Sequence, residues 1–416
     1  MTDEKAKPKR PLLVAFVTIF LDLLGFGIII PIQPFFAESF GATATLVTLL
    51  GASYSLMQFL FSPFWGRLSD RLGRRPIILF SVAISAIGHF IFATASGLVT
   101  LFLARALAGF GNANLGTAQA IIADTTSGAD RAKGMGLIGA AFGLGFIFGP
   151  AIGAFLGQHH PTTPLFAAGG LAVLNFVLAF FFLPETLTEE NKASTNRGST
   201  LNQLRTIGRH VNVTAILWIS LVGTIAFAQM EQAIALFIEH IWVTDPTLSS
   251  DDRIRAGAKL TGFFLVAVGV AAAVIQGGFI GKLNARFGEV RLIRTGLLIM
   301  TVALIAIPLV GETGVFWLLV CVVAPFMASG SGIMMPSKNS LISRSVPGNE
   351  QGAAMGLNQS ASALGRVIGP TFAGVLFDVH HSYPFYVGAC LLAVTCLLSL
   401  RLRIAPASGP PPSTTS

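Results

Sequence analysis

The sequence has few charged residues: they make up 11% of its 416 positions, against about 25% in an ordinary soluble domain. A soluble surface needs roughly a quarter or more of its residues charged. The 27 Lys and Arg and 19 Asp and Glu cannot supply that over this length. Cysteine is also scarce, and three residues are too few for a disulfide scaffold. These shortages exclude a soluble multidomain protein and a disulfide-stapled one.

Apolar residues are abundant instead: 53% of the chain is hydrophobic, with 45 Gly and 34 Phe. This composition excludes disorder and is typical of helical membrane proteins, in which glycine lets helices pack closely. A spanning helix needs about 20 mostly apolar residues. Twelve runs qualify, at residues 12–36, 45–65, 76–95, 98–122, 134–157, 165–183, 213–240, 258–280, 292–310, 315–342, 353–377 and 383–402. We therefore predict an all-α membrane protein with twelve transmembrane helices.

The net charge of +8 could suggest a nucleic-acid partner, but the distribution of the basic residues argues against one. Six of the 27 Lys and Arg lie well inside apolar runs or between Trp242 and Thr261. The other 21 fall at the two termini, in every second connection, or, for Arg294 and Arg401, at the end of a run next to one of these, which is the positive-inside pattern. Both termini are therefore predicted to be cytoplasmic, and no nucleic acid is expected as a partner.

One long polar stretch divides the twelve runs six and six. It predicts an N-terminal six-helix bundle at 1–183, a cytoplasmic linker at 184–212, and a C-terminal six-helix bundle with a short polar tail at 213–416. The halves repeat each other, because glycines of the fifth run recur 220 residues later in the eleventh: Gly136, Gly145 and Gly149 correspond to Gly356, Gly365 and Gly369. Two related halves place a binding site near the midplane between them.

Glycines four apart share one helix face and let another helix approach, and a proline bends the helix that contains it. The fifth run combines both features, because Pro150 follows Gly149 and Gly153 comes soon after. We therefore predict that this glycine face forms a contact between the halves, where a bend would suit a seam that opens and closes.

The connection after the second run has the sequence GRLSDRLGRRP, from Gly66 to Pro76. It resembles the signature loop between helices 2 and 3 of the major facilitator superfamily. The glycines of the fifth run, with Pro150 and Gly153, resemble the antiporter motif of drug exporters in that superfamily. Over residues 15–157 the chain is also similar to tetracycline-type proton-coupled exporters, and the likeness is looser in the second half.

This resemblance implies twelve helices in two pseudo-symmetric six-helix bundles. It implies a secondary transporter that exports amphipathic drug-like compounds in exchange for protons by alternating access, with tetracycline-like compounds among the candidates. Coupling features are shared broadly in the superfamily while substrate contacts vary, so proton-coupled export is favoured over tetracycline as its specific cargo. The expected partners are a small amphipathic substrate, protons and the lipid bilayer of an inner or plasma membrane, and the expected state is a monomer.

Ionisable side chains inside a spanning helix are costly, so each is functional by default and a partner should be sought. At about 1.5 Å per residue, Asp22 and Arg105 lie at nearly the same depth, which predicts a pair between the first and fourth helices. The resemblance implies that Asp22 is the proton-coupling carboxylate and that Arg105 tunes its affinity for a proton. The alternative is a static pair that holds the two helices together.

Polar side chains at helical spacing predict a cavity lined by Tyr54, Gln58, Asn112, Gln119, Gln229, Glu231, Gln232, Gln359 and Arg366. The alternative is hydrogen bonding between helices without a ligand, worth about 0.6 kcal/mol per contact. Lys338 lies near the cytoplasmic end of the tenth run, where we expect its side chain to extend to the membrane surface.

A second set of charges lies at the predicted cytoplasmic ends of the helices. The resemblance implies that Asp70, Arg74 and Asp124 form a charge network that latches the halves together. The motif residues around them are Gly66, Arg71, Gly73 and Arg75. The alternative is positive-inside anchoring, which explains the arginines but not Asp70.

Other functions remain open but are less favoured. A transporter of a sugar, organic acid, lipid or peptide would keep the fold and change the cargo or the direction. A membrane receptor or scaffold would not need the buried charges or the duplicated halves. We find no metal-ligand spacing, nucleophile elbow or phosphate loop, so no catalytic activity, cofactor or metal site is expected.

Overall fold

The computed structural model describes residues 10–126, 128–158, 160–187, 211–346 and 351–402. These residues are helical apart from short connections, and no strand occurs among them. Eleven of the described helices are long and apolar enough to cross a membrane, and the segment Gly143–Gly157 adds a shorter apolar helix. The predicted fold class, an all-α multi-pass membrane protein, is confirmed.

The first half of the chain forms six long helices. They are α1 (Arg10–Ile29), α2 (Ala44–Leu72), α3 (Arg74–Ala93), α4 (Leu98–Gly111, a 3-10 turn at Asn112–Asn114, then Leu115–Thr125), α5 (Gly128–Gly157) and α6 (Thr163–Phe182). A short helix, Gln33–Glu38, lies between α1 and α2.

The second half forms the matching six. They are α7 (Val211–Trp242), α8 (Ser250–Val274, a π turn at Ile275–Phe279, then Ile280–Phe287), α9 (Glu289–Thr313), α10 (Phe316–Leu318, a π turn at Leu319–Val323, then Ala324–Ser345), α11 (Gln351–Val379) and α12 (Tyr383–Leu398, with a 3-10 turn at Ser399–Arg401). The division at 184–212 stays a prediction, because residues 188–210 lie outside the described residues.

Three predicted boundaries are wrong for local reasons. The run 12–36 is not one helix: α1 ends at Ile29, and Pro31, which has no backbone N–H, lies in the turn that follows. The connection 66–76 is mostly helix, because α2 and α3 are separated by Gly73 alone, at a φ of 111° that favours glycine. α8 begins at Ser250, eight residues early, because the Ser249 hydroxyl accepts the Asp252 N–H at 3.2 Å as an N-cap.

The sequence repeat corresponds to the same helix pair in each half. α5 packs on α1, where a Cβ added at Gly149 would lie 2.6 Å from the Cα of Gly27. α11 packs on α7, where a Cβ added at Gly365 would lie 2.8 Å from the Leu221 carbonyl oxygen and one at Gly369 2.5 Å from that of Ile225. In both halves the glycines let two backbones approach within a distance that no side chain would allow.

The contact between the halves uses other glycines than predicted. The halves meet where α5 faces α8 and where α2 faces α11. A Cβ at Gly269 would lie 2.6 Å from Ile147, and one at Gly262 would collide with Ala154. The prediction that the fifth-run glycines form this contact is therefore wrong, because they face α1 in their own half. α5 presents Ile147 and Ala154 to α8 instead.

The bundle has two chemically different ends. The basic end is the one at Gly73, with Arg71, Arg74 and Arg75 around it. The far end is the opposite one, where the short helix Gln33–Glu38 meets the second half.

The far end is closed by contacts between the halves. The Thr45 N–H donates to Asp378 Oδ2 at 3.1 Å, and the Thr45 hydroxyl donates to the same oxygen. Phe35 packs against Gly257 of α8, where an added Cβ would lie 2.6 Å from its ring. The halves therefore meet tightly at the end opposite the arginines.

Candidate functional site

Asp22 lies on α1 at the centre of a polar site built from three helices. Its Oδ1 accepts from Asn175 Nδ2 on α6 at 2.9 Å, and its Oδ2 accepts from Asn114 Nδ2 on α4 at 3.3 Å. Asp22 is only half-buried. Both partners are neutral amides, so this carboxyl sits at the edge of open space with no ion-pair partner among the described residues.

A break in α4 brings Asn114 to Asp22. Around the 3-10 turn the backbone carbonyls lose regular helical partners, and such groups must be satisfied elsewhere. Trp65 Nε1 of α2 donates to the Phe110 carbonyl at 2.8 Å, and Gln58 Nε2 of α2 donates to the Asn112 carbonyl at 3.0 Å. Asn114 just beyond the turn reaches α3 as well, donating to Ser81 Oγ at 2.9 Å. The sequence analysis missed Asn114 and Asn175, whose signal was an amide inside an apolar run.

The predicted pair of Asp22 and Arg105 is wrong. Arg105 is 2% exposed, and its guanidinium carbon lies 5.0 Å from the ring centroid of Tyr54, 5.6 Å from that of Phe92 and 5.9 Å from that of Phe26. These are cation–π distances. The Arg105 Nε and Nη1 make no hydrogen bond to any described residue. Two amides satisfy Asp22 instead, and three aromatic rings surround the arginine.

The second half contributes one acidic and one basic residue to the same region. Glu231 of α7 has a buried Oε1 without a partner, and Arg366 of α11 is the charge that acts on it most strongly. Tyr54 is within electrostatic reach of Asp22, Arg105 and Arg366. The structure therefore brings together charged groups that the sequence analysis named in different helices of both halves.

The other predicted cavity residues divide into two groups. Gln58, Gln119, Gln232 and Gln359 are half-buried, and Gln232 lies over Gly51 across the contact between the halves. Tyr54, Asn112 and Gln229 are 5%, 5% and 1% exposed, so they do not border open space in this structure, and their role as cavity lining stays a prediction. Asn112 Nδ2 donates to the Tyr54 hydroxyl at 2.9 Å, which is the interhelical bond of the alternative interpretation.

Lys338 also differs from its prediction. Its side chain does not extend to the membrane surface: it is 3% exposed, and its Nζ donates to Ser220 Oγ of α7 at 3.0 Å. Ser220 in turn hydrogen-bonds to Asn358 of α11. Lys338 faces its own bundle because it lies on the side of α10 that meets α7.

At the basic end, Arg74 joins three helices of the first half. Its Nη1 donates to Asp70 Oδ1 at 2.5 Å and to Ser69 Oγ at 2.8 Å, and its Nε donates to Asp124 Oδ2 at 3.2 Å. No ion pair of the described residues connects this network to the second half. Among the described residues the network ties α2, α3 and α4 together, and its role as a latch between the halves stays a prediction.

Glu185, just after α6, completes this network and was missed by the sequence analysis. Its carboxylate accepts the backbone N–H of Arg74 at 2.9 Å and that of Arg75 at 3.2 Å. An anion is favourable there, because the first N–H groups of a helix lack helical partners. The carboxylate also occupies the space beside Gly73 that a Cβ would take.

Two other motif glycines add no contact to this network. Gly66 faces open space, and Gly136 lies in a part of α5 whose side chains are outside the described ones.

Replacing Arg74 is expected to destabilise the first half. Arg74→Ala leaves Asp70 and Asp124, each 13% exposed at the side chain, without their shared cation. Removing one partner of a buried ion pair costs about 3 kcal/mol or more. Thermal unfolding in detergent measures the loss. Arg71→Ala is the matched control, because Arg71 belongs to the same motif but is exposed. Equal melting of both variants would contradict a structural role for the network.

Comparison with known proteins identifies the chain's relatives. Residues 15–280 and 252–416 match the family described as the Major Facilitator Superfamily. The chain is 30% identical to "Tetracycline resistance protein, class B" of Escherichia coli, over 94% of this chain and 96% of that protein. It is 28% identical to "Multidrug resistance protein 1" of Bacillus subtilis, over 96% of this chain and 98% of that one.

A solved structure is similar over nearly the whole fold. The human organic anion transporter MFSD10 (TETRAN) superposes with a TM-score of 0.69, covering 94% of this chain and 99% of its own. The two are 24% identical in sequence, so the likeness supports the helix arrangement and not a shared substrate.

Proposed function

The chain belongs to the Major Facilitator Superfamily, and we propose that it exports amphipathic drug-like compounds in exchange for protons. The named resistance proteins it resembles along nearly their full length support drug export. The observation that carries the proton coupling is Asp22, a half-buried carboxyl that accepts from two amides of the first half and has no cationic partner among the described residues. Tetracycline-like compounds are candidate substrates.

Asp22 has a hydrogen-bonding environment that can accept either protonation state. An ionised carboxylate only accepts hydrogen bonds, while a protonated one also donates. The Asn175 Oδ1 is buried and has no partner among the described residues. A half-turn of that amide would present its oxygen to a protonated Asp22, at the cost of the bond that Asn175 Nδ2 donates to the Thr18 carbonyl at 3.1 Å. For coupling, the proton affinity of Asp22 has to differ between the two states of the transporter.

Arg105 is better suited to hold substrate than to pair with Asp22. A buried donor without a partner costs about 1–3 kcal/mol, and Arg105 has two such groups. A substrate that brings an anionic or carbonyl oxygen would satisfy them. The rings of Phe26, Tyr54 and Phe92 around the guanidinium would contact the apolar part of the same molecule. From the second half, Glu231, Gln232 and Arg366 complete the proposed cavity, together with Gln58, Gln119 and Gln359.

The orientation follows from charge. We place the basic end in the cytoplasm of a cell with a plasma or inner membrane, because basic connections stay on the cytoplasmic side. Both termini are then cytoplasmic, and the far end faces outward. The closed contacts at the far end make this the state in which the outer side is shut. Arg74 and its partners hold the cytoplasmic ends of α2, α3 and α4 in place as the halves rock, and the chain works as a monomer.

A drug-susceptibility panel with a transport assay tests this function. Cells that express the protein are expected to tolerate higher concentrations of several amphipathic compounds than cells with an empty vector. Inverted membrane vesicles under an imposed pH gradient are expected to take up the same compounds and to release protons as they do so. The absence of both resistance and proton release would contradict drug export and favour a metabolite as the cargo.

A further inference from the structure

A second cluster of charges lies at the far end, away from the central site, where four elements border a cavity of about 360 Å³. Glu38 comes from the short helix of the first half. Glu239 and His240 come from α7, and Arg253 comes from α8. Phe35 and Phe377 form part of the apolar wall. The cavity thus joins an acidic residue of one half to acidic and basic residues of the other.

Glu38 of the first half and Glu239 of the second half line this cavity together. Glu38 and Glu239 are within side-chain hydrogen-bonding distance, and two ionised carboxylates cannot share such a bond because neither has a proton to donate. One of them must therefore be protonated whenever this contact exists.

Arg253 pairs with one of the two carboxyl groups. Its Nε donates to Glu239 Oε1 at 2.5 Å, and Glu239 is 8% exposed. A guanidinium only donates hydrogen bonds, so Glu239 accepts from Arg253, and in a bridge between the two carboxyl groups Glu38 would be the donor. His240 is the other titratable group that lines this cavity; its ring stacks on that of His381, with centroids 4.6 Å apart.

We propose that Glu38 is a second proton-binding site of this transporter, and that the proton on it holds the far end closed by bridging to Glu239. This inference rests on the alternating-access function proposed above. A proton arriving from outside would bind as the far end closes, and it would leave when that end opens and Glu38 returns to water. Proton uptake and closure of the outer side are then one event.

The pKa of Glu38 gives the direction of the pH dependence. Burial, with the hydrogen bond to Glu239 and the charge of that carboxylate, raises the pKa of Glu38 to about 9 in the closed state, from an ordinary 4.5. The closed state therefore binds the proton more tightly than the open state. Below pH 4.5 the proton stabilises the closed state fully. Between pH 4.5 and about 9 the ratio of closed to open protein falls by up to about tenfold per pH unit, and above about 9 the stabilisation is lost.

Distance measurements between spin labels test the proposal. Labels at Ser96→Cys and Thr244→Cys, both exposed near the far end, report its opening in lipid nanodiscs when Cys321, Cys390 and Cys396 are replaced by alanine. The closed population is expected to fall as pH rises. Glu38→Gln keeps a donor for Glu239, so it is expected to stay closed at every pH. Glu38→Ala removes the donor and is expected to stay open.

Three controls separate Glu38 from other titrating groups. Asp251→Asn changes an exposed carboxylate at the same end, His240→Gln removes the neighbouring imidazole, and Asp22→Asn removes the central carboxyl; all three are expected to keep a pH-dependent far end. A slope that persists in Glu38→Gln, or one that Asp22→Asn removes entirely, overturns the proposal. A pH-dependent far end in a protein that exports no drug would refute the proposed function and leave this inference standing.

Discussion

Asp22→Asn is expected to abolish proton-driven export while leaving the protein folded in the membrane. Asparagine has nearly the shape of aspartate, and it can still accept a hydrogen bond at the site of Asn114 and Asn175. It cannot bind and release a proton at physiological pH. In inverted vesicles, uptake driven by an imposed pH gradient should fall to the level of vesicles without the protein.

Exchange of labelled for unlabelled substrate separates coupling from transport. Such exchange needs alternation of the loaded protein but no net proton movement, so Asp22→Asn is expected to retain it. Glu231→Gln is the comparison variant, because Glu231 is the acidic residue that the second half contributes to the same cavity. It is expected to keep uptake that responds to the pH gradient. Normal gradient-driven export by Asp22→Asn would remove Asp22 from the coupling role, and loss of coupling in Glu231→Gln alone would assign that role to Glu231.

The sequence predicted those features of the fold that depend on local composition. The apolar runs, the alternation of basic connections and the glycine repeat each follow from short stretches of the chain, and the helices lie close to where these signals placed them. The boundaries that failed depended on single residues, such as the proline that follows α1 and the serine cap of α8. A run of about 20 apolar residues does not reveal such single-residue signals.

The site was less predictable, because depth along a helix does not fix the direction in which a side chain points. Asp22 and Arg105 were matched by depth, yet each faces different neighbours. The direction of Asn114 depends on a turn of α4 whose carbonyls are satisfied from α2. Glu38 and Glu239 are 201 positions apart and meet only because the halves close at the far end. Such tertiary contacts leave no local pattern in one sequence.

Gly149→Leu is expected to have the largest effect on folding. A Cβ at Gly149 would lie 2.6 Å from the Cα of Gly27 and 2.8 Å from its carbonyl carbon. Both are backbone atoms of α1, so no rotamer change can make room. Overpacking of a core commonly costs about 1–3 kcal/mol, and a full leucine against backbone exceeds what α1 and α5 can absorb without separating. Because α1 also positions Asp22, the central site would be displaced with it.

Gly143→Leu is the matched control for this prediction. Gly143 lies on the same helix, and a Cβ added there would meet nothing within 4 Å. It is expected to melt at or above the wild-type temperature, because leucine is a better helix former than glycine by up to about 1 kcal/mol.

Gly369→Leu makes the equivalent change in the second half, against the Ile225 carbonyl of α7, and is expected to prevent folding as Gly149→Leu does. Fluorescence-detected size exclusion and thermal melting in detergent measure all three. Equal stability of Gly149→Leu and Gly143→Leu would show that the glycines of this motif are not needed for the close approach of α1 and α5. The role of these glycines would then lie in the motion of the halves.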